Sequence, residues 1–479
     1  MRFLPSMIVL LASVGLAQDS TQRQTKTPDP VIERIVGATM MRGGAMTFLE
    51  ALTDTIGGRV TGSPESRAAS ELILKTLKDA GFGNAHMEEY PLASSWKRGV
   101  AVGRIVSPAP WNLMIESYGW VPGTPGKIQA PVKEASVGPD GKLAGDVTSL
   151  RGAAVIVDLQ GNALSFDTNF VSKRVRISQQ LAAVGAAAMF LPSDKPDRMV
   201  YTSAAGFYPR GALPVLSLAK EDTAFLRRLM LKQDVRIELE VGNAFIGSAT
   251  EHNVIADLPG SEPNEVVLLG AHFDSWEPAQ GANDNGTGVA AVLEAARVLK
   301  SLEIKPKATI RFAFFSGEEQ ADLGSRAYVK MHQSELNSLR AAVIMDGGAQ
   351  APLGFQIHGR ADIEAPLKKI LSGLEPLGAA HLLPGGDLDT DDESFVVAGV
   401  PALSLWVVQE GYDINHHAIT DTLDKIDPRM LSLDTAVLAV ATYSIANAES
   451  RLGRRLARDE VVELLKKIGA TLALEQAMD

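Results

Sequence analysis

Residues 265–300 read EVVLLGAHFDSWEPAQGANDNGTGVAAVLEAARVLK. The apolar run that opens this stretch does not alternate with polar residues, which marks a strand buried on both faces. A glycine-rich loop follows, and then GVAAVLEAARVLK with apolar residues at helical spacing. The same rhythm recurs downstream. ATIRFAFF (308–315), AAVIMD (341–346) and PALSLWVV (401–408) are further apolar runs, separated by the helical patterns GSRAYVKMH and ADIEAPLKKILSGLEPL. Strands of this kind between amphipathic helices predict an α/β fold, with a mostly parallel (mixed) sheet carrying helices on both faces. In such sheets ligands sit beyond the carboxyl ends of the strands.

The unusual polar residues fall at those ends. His272 and Asp274 follow the first run, and Asp284 lies in GANDNG. Glu318 and Glu319 follow ATIRFAFF in SGEEQ, Asp346 ends AAVIMD, and His416 and His417 lie beyond PALSLWVV in QEGYDINHHAITDT. Carboxylates gathered at one rim repel one another, and their pKa values rise. No Lys or Arg in these motifs relieves that repulsion, whereas divalent cations would. Imidazole and carboxylate donors without sulfur suit zinc, with manganese or cobalt as alternatives. Two such ions about 3.5–4 Å apart can share one carboxylate, activate water and polarise a carbonyl.

The chain has 479 residues, 46% of them hydrophobic, a formal net charge of −11 and no cysteine. It therefore has no disulfide, thiolate ligand or cysteine nucleophile, and no lipid-attachment cysteine near its start. MRFLPSMIVLLASVGLA (1–17) has a basic start, an apolar stretch and a small-residue cleavage site, which predicts export with the leader removed. Its apolar stretch is shorter than the roughly 20 residues of a membrane anchor. Loss of Arg2 with the leader takes the charge to −12, a poor match for nucleic acid or anionic lipid. No later segment reads as a membrane span. The expected organisation is an N-terminal part of the main domain at 18–122, a β-rich inserted domain at 123–245, the catalytic domain at 246–450 and a helical tail at 451–479.

HFD (272–274), GANDNGTG (281–288), SGEEQ (316–320), MDGG (345–348) and HHAITDT (416–422) resemble the motifs of the M28 family of bridged di-zinc exopeptidases. HFDSW, AGVPALSL and HHAITDTLDKIDP look most like its dipeptidase branch. The segment from LRGAAVIVDL to AVGAAAMFLPSD resembles the protease-associated domain. The resemblance implies a phosphorylase/hydrolase-like zinc exopeptidase fold acting on dipeptides or short peptides, and family precedent points to a homodimer. It also implies roles: Asp284 bridges two zinc ions, His272 and Asp346 bind one, and Glu319 and His417 bind the other. Glu318 is then the general base, and Asp274 hydrogen-bonds the His272 ring. His417 is preferred to His416 because family ligands stand four residues before the acidic residue here numbered Asp421.

Other readings are plainer. His86, His252, His332, His358 and His381 read as structural or exposed. Asp387, Asp389, Asp391 and Asp392 in GGDLDTDDESF lack the spacing of a calcium loop, and with Trp276 and Tyr412 are either pocket wall or packing. An aminopeptidase acting on longer peptides would use the same metal residues. A non-catalytic receptor would have lost some of them, and a single-zinc cyclase would lack the second set.

Overall fold

The stretch 265–300 becomes a strand, Glu262–His272, and a helix, Thr287–Ser301, at the centre of an eight-stranded sheet. This computed structural model describes residues 29–159, 168–206, 210–386, 388–470, 473–474 and 477. The expected leader at 1–17 and Asp387 lie outside the described residues. The strand order is His86–Lys97, Ala244–Leu258, Ala308–Phe315, Glu262–His272, Leu339–Ile344, Ala402–Val407, Pro352–Gln356, His381–Leu383. The middle four strands, from Ala308–Phe315 to Ala402–Val407, run parallel. Their flanking neighbours, Ala244–Leu258 and Pro352–Gln356, are antiparallel to them. The sheet is mixed, with a parallel centre.

The burial of both sheet faces explains the unbroken apolar runs. Val267, Leu269 and Ala271 enter one core, shared with helices Pro30–Arg42, Pro64–Asp79, Thr287–Ser301 and Pro428–Asn447. Val266 and Leu268 point the opposite way, into a core built with helices Leu323–Met331, Asp392–Val397 and Arg458–Ile468. Each fully buried aliphatic side chain of this kind contributes about 1.5–3 kcal/mol.

Two expectations change. Helix Pro428–Asn447 is in fact long and apolar enough to cross a membrane. Most of it is nonetheless buried in this core against Thr287–Ser301, which accounts for its composition. The segment 361–377, expected as one helix, is an α-helix over Ala361–Ile370 that tightens to a 3₁₀ turn over Leu371–Leu377. Pro366 is accommodated inside the α-helix, whereas Pro376 in the second segment removes a backbone donor and stops the α ladder from running on.

A second sheet has the order Trp111–Leu113, Ala101–Ser107, Arg236–Val241, Ile128–Val137, Ala154–Val157, Ala188–Pro192, Val215–Leu218, Ile115–Ser117, with Leu143–Ala144 paired beside Ile128–Val137. Leu226 of helix Lys220–Met230 fills one of its faces, and Ile177 and Leu181 of helix Thr168–Val184 fill the other. Between the two sheets lies a small cluster of Val60, Trp96, Trp120, Ala204 and Trp276. Trp96 stacks on Trp120 at 5.7 Å, and Trp276 meets Trp120 edge-on at 6.2 Å. The apolar seam thus ends on a loop of the candidate site.

Candidate metal centre

Strand Glu262–His272 ends on His272, and the Phe273 amide extends the ladder to the Phe315 carbonyl at 2.8 Å. Beyond this point the chain is held by Arg59, whose guanidinium is fully buried. It donates to the carbonyls of Phe273 (2.6 Å), Gly57 (2.8 Å), Gln280 (2.7 Å) and Gly281 (2.8 Å). Burial lowers its pKa to about 10, against the pull of Asp421, Asp274, Asp284 and Glu319, so it stays charged at neutral pH. Gly281 has φ +60, and a Cβ there would lie 2.3 Å from the Ser275 hydroxyl. Asp421 then fixes the turn, accepting from the amides of Asn283 (2.6 Å) and Asp284 (3.1 Å).

The sequence offered one clue to Arg59, a lone cation among the glycines of GGRVTG. Lysine cannot reproduce its fork. Arg59→Lys is expected to destabilise the zinc-free protein by about 3 kcal/mol or more, since several charge-assisted hydrogen bonds are lost. Urea unfolding measures this; a loss below about 1 kcal/mol would show that the loops hold themselves.

Four strand ends converge. His272 Nε2 lies 3.4 Å from Asp346 Oδ2, 3.5 Å from Asp284 Oδ1 and 3.9 Å from Glu318 Oε2. On the other side of Asp284, its Oδ2 is 3.2 Å from His417 Nε2 and 3.3 Å from His416 Nε2. His417 Nε2 is also 3.0 Å from Glu319 Oε2, which accepts a hydrogen bond from the Trp276 indole. Both histidines therefore reach Asp284, but His417 also faces Glu319. Among the described residues, His272–Asp284–Asp346 and Asp284–His416–His417 are the two groups whose ligand atoms cluster within 4.8 Å.

A metal fits these residues. His272 Nε2, Glu319 Oε1 and Asp346 Oδ1 are buried without a hydrogen-bond partner, and each is a ligand-type atom. Burial, opposed by His272 and reinforced by Glu319 and Asp346, holds Glu318 well above the usual carboxylate range. Burial likewise takes Glu319 up to about 7 against the pull of His417. At His272, burial disfavours the charge, yet Asp346 and Glu318 outweigh it and hold the imidazole well above its ordinary value. His417 is raised in the same way, chiefly by Glu319, whereas burial and the His417 charge push His416 well down. The centre is short of positive charge, which a divalent cation would supply.

The Asp274 carboxylate lies beneath both halves of the centre. It accepts from Thr61 Oγ1 (2.8 Å) and from the amides of Glu318 and Glu319 (3.3 Å each). The His272 ring instead bonds to the Asp274 carbonyl at 3.1 Å, with the carboxylate 3.6 Å away. Gly317 makes the sharp turn into this pair, at φ +78, where a Cβ would come within 2.9 Å of the Tyr90 hydroxyl.

Residues 253–442 match the sequence profile of peptidase family M28. Carboxypeptidase Q of Rattus norvegicus is 30% identical over 412 residues, which cover 85% of this chain and 86% of that protein. The chain belongs to peptidase family M28. A peptidase M28 precursor from Shewanella amazonensis, known from its crystal structure, is 29% identical with a TM-score of 0.80, covering 89% of this chain and 98% of that one. A zinc aminopeptidase from Bacillus subtilis shares the fold at 21% identity, with a TM-score of 0.65 and coverage of 86% and 97%. This M28 chain is a peptidase.

Other residues of the M28 chain resolve into simpler parts. His332 pairs with Glu88 at 2.9 Å, His252 lies 2.6 Å from Arg67, and His86 and His381 are exposed. His358 is buried 3.0 Å from Asp392, which also accepts from Ser404. Asp391 and Asp392 are buried, and Tyr412 packs on His416 at 5.1 Å. The functional spacing also passed over Tyr201, which stands 3.1 Å from His417 Nδ1.

Proposed function

We propose that this M28 peptidase is an exported two-zinc dipeptidase. His272, Asp346 and one oxygen of Asp284 would hold one zinc; His417, Glu319 and the other Asp284 oxygen would hold the second. The observation that carries this reading is the Asp284 carboxylate, whose Oδ1 faces His272 and whose Oδ2 faces the two histidines of the last loop. Manganese and cobalt suit the same donors. When bound, the ions lower the pKa of water and polarise the scissile carbonyl.

The protein's own groups do the rest. Glu318 lies against His272 with its side chain 12% exposed, three times as open as that of Glu319 at 4%. It therefore meets incoming water while Glu319 stays tied to Trp276 and His417. Glu318 takes a proton from the water as its oxygen bonds to the peptide carbon. It returns that proton to the leaving nitrogen as the C–N bond breaks. Asp274 acts by position, because its carboxylate fixes the backbone of Glu318 and Glu319.

The leader at 1–17 supports export, and family precedent supports a homodimer. The protease-associated-like segment expected at 123–245, whose sheet also takes in the strands from Ala101 to Ser117, would serve as scaffold or gate. An aminopeptidase would use the same centre, so the substrate carboxylate decides between the two. The test compares hydrolysis of a dipeptide with that of the same dipeptide amidated at its C-terminus. A dipeptidase should prefer the free acid by about 10–100-fold, the worth of a hydrogen bond to a charged group. Equal rates would transfer the assignment to the aminopeptidase.

A further inference from the structure

We infer that Tyr201, from the second sheet's part of the chain, is a positioning residue for the zinc ligand His417. This rests on the proposed role of His417. The Tyr201 hydroxyl oxygen lies 3.1 Å from His417 Nδ1, and the two rings are tilted against each other at 5.3 Å. His417 Nε2 is the nitrogen that faces Asp284 and Glu319. An imidazole that offers its Nε2 lone pair to a metal carries its hydrogen on Nδ1, and that N–H needs an acceptor. Tyr201 supplies it, fixing both the tautomer and the ring angle.

Neither the ring nor its backbone is placed by His417's own loop alone. His417 has φ +54, a left-handed conformation that a residue with a Cβ adopts only under constraint. The constraint comes from the same neighbour as the phenol. The Thr202 amide donates to the His417 carbonyl at 2.9 Å, and Tyr201 forms an antiparallel bridge with Ala418. Nearby, the Lys195 ammonium donates to the Asp413 carbonyl at the start of the histidine loop. Tyr201 is itself buried, beside Tyr118 at 6.2 Å and the Arg174 guanidinium at 5.8 Å. A short strip of chain, 195–202, therefore holds the loop, its strained residue and the ring nitrogen together.

His272 has no such support from that strip; its Nδ1 bonds to the Asp274 carbonyl two residues away. The two zinc positions thus depend differently on the second sheet. Loss of the phenol oxygen should weaken the Glu319–His417 position and spare the His272–Asp346 position.

The test is Tyr201→Phe, which keeps the packed ring and deletes only the acceptor. Two zinc affinities are measured by chelator competition on the full-length protein, and cobalt-substituted protein gives the visible spectrum of each position. The expected result is a 10–100-fold loss of affinity at one of the two positions, with a changed cobalt spectrum for that ion. Tyr118→Phe removes a neighbouring phenol oxygen and should leave both affinities unchanged. Assignment of the weakened position comes from His272→Ala, which should abolish the other one. Wild-type protein that binds two ions and a Tyr201→Phe variant with both affinities unaltered would overturn the inference, as would a loss confined to the His272 position. Wild-type protein that binds fewer than two ions would instead remove the two-zinc reading beneath it.

Discussion

Glu318→Gln should lower kcat by roughly 10²–10⁴-fold while zinc content and thermal stability stay at or above wild-type values. The substitution is nearly isosteric. The bonds that hold this turn use the backbone amides of residues 318 and 319 and the carboxylate of Asp274, none of which changes. What disappears is the only group in the turn able to take a proton while its neighbour is tied down. Stability should not fall, because burial, opposed by His272 and reinforced by Glu319 and Asp346, holds the Glu318 carboxyl well above the ordinary range. An acid raised in this way opposes folding as pH climbs above its unfolded value, so an uncharged replacement relieves a cost at neutral pH. Metal analysis, calorimetry and steady-state kinetics on one preparation check all three. Activity within tenfold of wild type would remove Glu318 from its role.

The parallel centre of the fold and the rim above it were legible because both follow from strand burial. A strand covered on both faces is largely apolar, so a histidine or aspartate at its end stands out, as His272 and Asp346 do. The long strand Ala244–Leu258 was harder to read. Its first half alternates exposed and half-buried positions, and its second half carries Glu251, His252 and Asn253 within the buried run. Those polar residues are satisfied by distant parts of the chain: Glu251 accepts from the Gly62 amide and the Ser66 hydroxyl, and Asn253 donates to the Gly324 carbonyl. Periodicity reports burial, and buried hydrogen-bonded polar residues escape it.

The supports of the site were less visible for a related reason. Asp421 entered the sequence argument only as a marker of spacing, yet it fixes the amides of Asn283 and Asp284. Arg59 binds carbonyls, which leave no trace in side-chain chemistry. Tyr201 lies 216 residues from the histidine it touches. Ligand motifs are local because one turn delivers several donors, whereas their supports come from wherever the fold brings chain alongside. The same holds for Trp276, whose indole serves both an apolar seam and Glu319.

Asp284→Asn tests whether the two halves of the centre share one carboxylate. An amide keeps the shape but offers one weak oxygen and one NH₂ donor, so it cannot face a cation on both sides. On the proposed two-zinc reading, zinc bound per chain should fall from two to at most one. Affinity for the remaining ion should drop by more than about 100-fold, the upper range for changes outside the ligand shell. Asp346→Asn provides the contrast, because among the described residues His272 is the histidine that Asp346 faces, so the change should cost only that ion. The metal-free proteins add an independent reading. Burial pushes Asp284 up, but His272, His417 and His416 more than reverse this and hold it well below the ordinary carboxylate value. A depressed acid stabilises the fold above its unfolded pKa, and that stability is lost as pH falls through its folded value. Chelated Asp284→Asn protein should therefore be less stable than chelated wild type at pH 7, with the gap closing towards low pH. Zinc should raise the melting temperature of wild type, since an ion that binds only the folded state stabilises it, and should raise that of the variant much less. Two zinc ions held by Asp284→Asn at wild-type affinity would mean that the donor groups on either side of Asp284 work as separate sites.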